Sequence, residues 1–291
     1  MNDFAERKYV ASPETHEQLR SYEFQFTLYR HGPKTSVNGD LSEAGWQKTK
    51  DFHAERYDKG LADVEKVDLI VSPIFRTWGT GQAATAALVE RMGEEGLGEV
   101  GVDERLTEGV LSENEDRVNE IGRLTGGPDG RHGRMLVGWL GLEKPLDNWP
   151  EMMTYKQAAG NIAELILERV LLRKEAGGNQ KLEAFSHGPV LAAFIVRLEE
   201  LSGQKLLPQD WKEQAVSGDQ VPGISDEDKK KTSPMWTLFD FNSHAILRAD
   251  SYAPEEFTVE FHGKTIRLSL DVLREMAGQE TLEEKHQWAA K

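Results

Sequence analysis

Three short apolar runs, each ending in a cluster of basic and small residues, constrain this chain more than any other feature. Residues 24–29 (FQFTLY) lead into Arg30-His31-Gly32-Pro33, and residues 67–71 (VDLIV) into Ser72-Pro73-Ile74-Phe75-Arg76-Thr77. Residues 182–185 (LEAF) lead into Ser186-His187-Gly188-Pro189. Runs of this length and composition, followed by turn residues, predict buried strands of an α/β sheet. Such strands deliver the residues that follow them to the carboxyl edge of the sheet, where ligands bind. Arg30, His31, Arg76 and His187 are therefore expected to converge. Planar guanidinium groups match the oxygens of a phosphoryl group in bidentate geometry, so the expected occupant is a phosphate ester and the expected chemistry is phosphoryl transfer.

Between and after these runs, strand-like and helix-like stretches alternate, which predicts a doubly wound, mostly parallel sheet in a three-layer α/β/α sandwich. A helix is expected over residues 43–59, capped by Ser42 or Asp40, and an alanine-rich one over 80–92. The clearest helix covers 155–174, with Ala158, Ile162, Leu165, Ile166, Val170 and Leu171 on a helical period. A glycine-rich stretch, 122–141, and a polar one, 203–234, read as insertions because core-like pieces flank both. Beyond Pro254, Phe257, Val259 and Phe261 alternate, then Ile266, Leu268 and Leu270 alternate across His262-Gly263-Lys264, predicting a hairpin followed by a helix. One domain is expected over 1–291, with its core at roughly 22–250 and a hairpin-helix extension over 251–291.

Composition narrows the class of protein. At 291 residues the chain can bury a sizeable core, and with no cysteine it has neither disulfides nor thiolate chemistry. Its start, MNDFAERK, lacks the apolar core of a secretory signal, and no run approaches a membrane span, so a cytoplasmic protein without a membrane partner is expected. A net charge of −15 and a pI near 5.1 disfavour nucleic acid as a partner. An anionic ligand must then be drawn by a local basic pocket. The expected partner is a small phosphorylated substrate or a phosphoprotein.

The motifs together resemble the histidine phosphatase (phosphoglycerate mutase-like) superfamily. Arg30-His31-Gly32 is similar to its signature triplet after the first strand, and Asp40-Leu41-Ser42-Glu43-Ala44-Gly45 to the helix start that follows. Ser72-Pro73 with Arg76-Thr77 and Thr80 resembles its S-P-x-x-R-T-x-x-T, Ser186-His187-Gly188 its second histidine motif, and residues 236–248 the strand pair that closes its sheet. The resemblance spans roughly residues 22–250. Because the second motif reads HG and not HD, it is the mutase-like branch (branch 1) that the chain resembles, not the phytase and acid-phosphatase branch. The resemblance implies a metal-independent phosphomonoesterase without a cofactor, working through a phosphohistidine.

In that chemistry His31 is the nucleophile and must offer a neutral ring nitrogen, which neighbouring Arg30 and Arg76 favour by disfavouring the imidazolium. Arg30, Arg76 and His187 would hold the equatorial oxygens of the transferring group. Glu108, in the ERLTEG context, resembles the position of the family's acid that protonates the leaving oxygen, with Glu113 as the alternative. Two rival readings share the site: a phosphoglycerate-type mutase that returns the phosphoryl group to bound product, and a noncatalytic phospho-ligand binder. Arg131-His132-Gly133 repeats the RHG letters but follows no apolar run, so it reads as a loop. Gly79-x-Gly81-x-x-Ala84 resembles a dinucleotide fingerprint, but PIFRTW separates it from the strand that would have to precede it directly. The remaining histidines, His53 and His244 among them, show no metal-ligand spacing and read mostly as surface, so no metal is implied.

Overall fold

The structure, a computed structural model, describes residues 24–32, 41–61, 64–107, 121, 132–147, 149–176, 180–213, 243–249 and 256–279. The three apolar runs become β1 (Phe24–Arg30), β2 (Lys66–Val71) and β4 (Gln180–Ser186), with β3 at Leu97–Val102. Strands β5 (His244–Ala249), β6 (Glu256–Phe261) and β7 (Lys264–Ser269) complete one mixed sheet in the order β3-β2-β4-β1-β5-β6-β7. The β3-β2-β4-β1 half is parallel and the remainder antiparallel. Helices α1 (Glu43–Gly60), α2 (Phe75–Met92), α3 (His132–Trp139), α4 (Tyr155–Ala176), α5 (Gly188–Ser202) and α6 (Leu270–Met276) cover it.

Alternation along the strands sorts the core into two layers. Phe24, Phe26 and Leu28 of β1, Ile70 of β2, and Leu182 and Ala184 of β4 face one side, where they meet α3, α4, α5 and α6. Tyr29, Val67, Leu69, Val71 and Phe185 face the other, against Tyr57 of α1 and Ala84, Ala87 and Leu88 of α2. This is the expected three-layer sandwich. In the hairpin, Phe257, Val259, Phe261, Ile266 and Leu268 all join the first layer while Glu256, Lys264, Thr265, Arg267 and Ser269 stay exposed, the pattern of an antiparallel flank covered on one side. Its two-residue turn, His262-Gly263, holds both residues at positive φ (48° and 72°), as a type I′ turn demands.

Several boundaries differ from expectation. Helix α2 begins at Phe75, five residues early, so Arg76 and Thr77 lie in its first turn. Its glycines serve packing: a Cβ at Gly81 would come within 2.5 Å of Val71 Cγ1. They sit inside a helix and form no strand-end turn, which removes the dinucleotide-fingerprint resemblance. The second RHG is not a loop as expected: His132 opens α3, and buried Leu136 and Trp139, with Leu140 just past its end, recur at the i, i+3, i+4 spacing of a helix. The polar stretch after Gly203 starts inside the core, with Leu206, Leu207 and Trp211 buried. The amides of Leu206 and Leu207 each donate to the Glu199 carboxylate at 2.6 Å. Helix α1 is capped by Ser42, whose Oγ accepts from the Gly45 amide at 3.0 Å; Asp40 lies outside the described residues. Helix α4 buries Ala158, Ile162, Leu165 and Ile166 as expected, while the side chains of Val170 and Leu171 lie outside those described. Among the described residues, no helix is long and apolar enough to cross a membrane.

His53 is the largest departure, fully buried on α1 and not at the surface. Its ring lies 3.7 Å from the Glu183 carboxylate. Burial above all, opposed by Glu183 and reinforced by Arg56 and Lys181, lowers its pKa from 6.5 to about 4. A folded pKa below the unfolded one means that the unfolded chain binds more protons. The contribution is therefore complete above pH 6.5 and is lost as pH falls from 6.5 towards 4, to the extent of roughly 3 kcal/mol. Denaturant midpoints measured across that window should fall with acidification in the wild type and stay flatter in His53→Phe. Parallel decline in the two proteins would contradict the assignment.

Candidate active site

The site forms where β1 and β4, neighbours in the sheet, send their chains to opposite faces. After β1 the chain returns as α1 on the second layer; after β4 it enters α5 on the first. This is a topological switch point, the crevice at which open α/β sheets bind ligands. His31 follows β1, and its amide donates to the Ser186 carbonyl at 2.9 Å. The Arg30 amide donates to the Ser243 carbonyl at 2.8 Å, so the end of β1 is held from both flanking strands. His187 follows β4 and occupies the N-cap position of α5.

The two histidine rings, both buried, lie 5.6 Å apart between centroids and 61° from coplanar. His31 Nδ1 lies 2.8 Å from the Gly32 carbonyl oxygen, which can only accept, so Nδ1 carries the proton and Nε2 the lone pair. On His187 the logic reverses. Arg76 Nε donates to Nδ1 at 3.0 Å, which leaves the proton on Nε2, 3.1 Å from Ser72 Oγ. Both ring nitrogens of His187, the residue expected to hold a phosphoryl oxygen, thus have protein partners. Ser72 belongs to the motif read from the sequence, but nothing in the spacing announced its bond to His187.

The surrounding motif residues form the walls. The Gly32 amide donates to Thr80 Oγ1 at 2.9 Å, and that hydroxyl donates to the Arg76 carbonyl at 2.9 Å, tying the first motif to the second. A Cβ on Gly32 would lie 2.2 Å from Thr49 Oγ1 of α1, so only glycine allows helix and loop to approach this closely. Thr77 Oγ1 donates to the Ser72 carbonyl at 2.7 Å and closes the turn that presents Arg76. Arg30 is buried, and a Cβ on Gly188 would sit 3.3 Å from its Nε, which places this guanidinium against the start of α5. The amino ends of α2 and α5 both open at the site, so the partial positive charge of each helix adds to the two guanidinium groups.

The structure therefore brings together Arg30, His31, Arg76 and His187. Glu108 and Glu113 lie outside the described residues, but the chain is anchored two positions before Glu108: Ser186 Oγ donates to the Leu106 carbonyl at 2.6 Å, and Leu106 is fully buried. Arg131 also lies outside the described residues. Among the described residues, no group of three or more histidine, aspartate or glutamate side chains is placed to hold a metal ion.

No protein-family model matches the chain, and no curated protein does. Solved structures resemble its trace at low identity. A mycobacterial glucosyl-3-phosphoglycerate phosphatase is 18% identical, with 81% of this chain and 97% of that one covered and a TM-score of 0.45. YhfR of Bacillus stearothermophilus is 16% identical, covering 85% and 98%, with a TM-score of 0.48. Phosphoglycerate mutase of Bacillus anthracis is 14% identical, covering 87% and 96%, with a TM-score of 0.45.

Proposed function

We propose that the protein is a phosphomonoesterase that works through a phosphohistidine on His31. The observation that carries this reading is the Nδ1–H···O=C bond to Gly32, which directs the lone pair of a buried imidazole to Nε2 at a crevice lined by two guanidinium groups. That arrangement fits in-line attack on an anionic phosphorus centre. The Nε2 lone pair forms the N–P bond as the ester P–O bond breaks, and the leaving oxygen takes a proton from Glu108, or from Glu113 in its place. The Gly32 carbonyl supports the positive ring of the intermediate. Water then attacks phosphorus with its proton returning to the carboxylate, and the N–P bond breaks to regenerate Nε2.

Arg30, Arg76 and the two helix amino ends neutralise charge on the equatorial oxygens. A phosphate dianion draws Arg76 away from His187 Nδ1; that nitrogen then takes up a proton from water, and the resulting imidazolium donates it to a phosphoryl oxygen while Nε2 keeps its contact with Ser72. The motif set in the sequence supports the same reading, through its resemblance to the histidine phosphatase superfamily.

Turnover of a panel of phosphomonoesters in EDTA, with and without a bisphosphoglycerate, tests it. Phosphate release from several esters, unaffected by chelator and independent of the bisphosphate, is expected, together with vanadate inhibition stronger than inhibition by phosphate. Activity that vanishes with EDTA and returns with a divalent metal would contradict the metal-free reading. Activity that needs the bisphosphate and transfers the phosphoryl group between positions of one substrate would identify a mutase instead.

A further inference from the structure

Directly beneath the site, between the sheet and α1, lies a polar network that the chemistry above does not use. Glu183 of β4 is fully buried; its Oε1 accepts from the Tyr29 hydroxyl of β1 at 3.0 Å and its Oε2 from the Tyr57 hydroxyl of α1 at 2.7 Å. Lys181 Nζ, also buried, is 3.2 Å from Oε1. Arg56 of α1 reaches in from the other side: its Nε donates to the Tyr29 hydroxyl at 2.9 Å and its Nη1 to His244 Nε2 of β5 at 2.6 Å. The Tyr29 ring stacks on Phe185 at 5.3 Å. Burial pushes the Glu183 carboxyl up, but Lys181, His53 and Arg56 together with the Tyr57 hydroxyl overcome it and hold the carboxyl down, to about 2.

On the same face of the sheet, β2 does the equivalent packing with Val67, Leu69 and Val71. Apolar side chains therefore suffice for this layer, and buried ion pairs are a poor route to stability when apolar residues could replace them. What the polar links add is direction. They join β4, β1 and β5 at the level of Tyr29, two residues before His31, and His244 follows Ser243, whose carbonyl holds the Arg30 amide. The end of β1 is thereby pinned laterally to both neighbouring strands.

We propose that the Tyr29 hydroxyl is a positioning group for the nucleophile: by linking Glu183 to Arg56 and His244 it fixes the end of β1, and with it the orientation of the His31 ring. This rests on His31 acting as the nucleophile. Tyr57 provides an internal control, since its hydroxyl donates to the same carboxylate from a similarly buried ring but belongs to α1, which does not carry the histidine.

The test compares wild type, Tyr29→Phe, Tyr57→Phe and Arg56→Gln. Two-bond proton–nitrogen spectra of protein labelled at its histidine rings report the His31 tautomer, with the signal assigned by its loss in His31→Ala. The Nδ1–H tautomer should be retained in wild type and Tyr57→Phe, and averaged in Tyr29→Phe and Arg56→Gln. A displaced nucleophile should lower kcat in the latter two by roughly tenfold or more while KM stays within about twofold. Should Tyr29→Phe fail to fold, Arg56→Gln breaks the same chain from α1. An unchanged His31 tautomer in the folded variants, or equal disturbance by Tyr57→Phe, overturns the proposal. If wild type releases no phosphate from any ester, the proposed function falls, and the tautomer comparison still decides the role of Tyr29.

Discussion

His31→Ala is expected to lower phosphate release by roughly four orders of magnitude or more, because removing the nucleophile of a covalent mechanism removes the path and not merely a contact. The substitution deletes a buried ring at the edge of the sheet, outside both apolar core layers. Circular dichroism and thermal unfolding of the variant check that the loss is chemical. Near-normal turnover in a folded His31→Ala protein would rule out the phosphohistidine.

The second large effect is expected at His187. Its ring stands 5.6 Å from His31 and joins Arg76 to Ser72, so alanine removes an oxyanion donor and also frees Arg76 from its resting partner. Loss of one such donor typically costs about 10²–10³ in kcat. The matched comparison is His132→Ala. His132 opens α3, a helix whose buried face packs into the first core layer, and it shares only letters with the triplet that carries His31. Its substitution should leave the chemical step within about twofold, since no apolar strand precedes it to aim its ring. Reversed severity in the two variants would mean that the site has been assigned to the wrong triplet.

The parts of the fold legible in the sequence were those decided by local pattern. Apolar runs of four to six residues marked β1, β2 and β4, and because parallel strands present their carboxyl ends together, the convergence of Arg30, His31, Arg76 and His187 followed from three short segments. The hairpin of β6 and β7 was legible for the same reason, through alternation about a turn. Helix α2 was read five residues short because Thr77 and Gly79 are weak helix formers; the compensation at Gly79 is tertiary, a close approach to Leu41. Helix α3 was hidden by the glycines around it, although Leu136, Trp139 and Leu140 carry a helical spacing.

The network beneath the site was illegible in principle. Residues 182–185 read as a buried strand, but nothing in that run says what would pair with Lys181 and Glu183 inside the sheet. Their burial is created by Tyr57, Arg56 and His53, more than 120 positions earlier in the chain. His53 looked like a surface residue because nothing local says which face of α1 turns inward over a charged strand. Tautomers lie beyond sequence altogether, since each is set by one carbonyl or one guanidinium at hydrogen-bond distance.

Rapid quench of the enzyme during turnover of a phosphorus-labelled ester, into base where phosphohistidine survives, reads the covalent step itself. Label should be found on the wild-type protein, mapped to the peptide containing His31, labile to acid, and absent from His31→Ala. Steady release of labelled phosphate from wild type with no label ever trapped on protein, or equal labelling of His31→Ala, would contradict a phosphohistidine at this position.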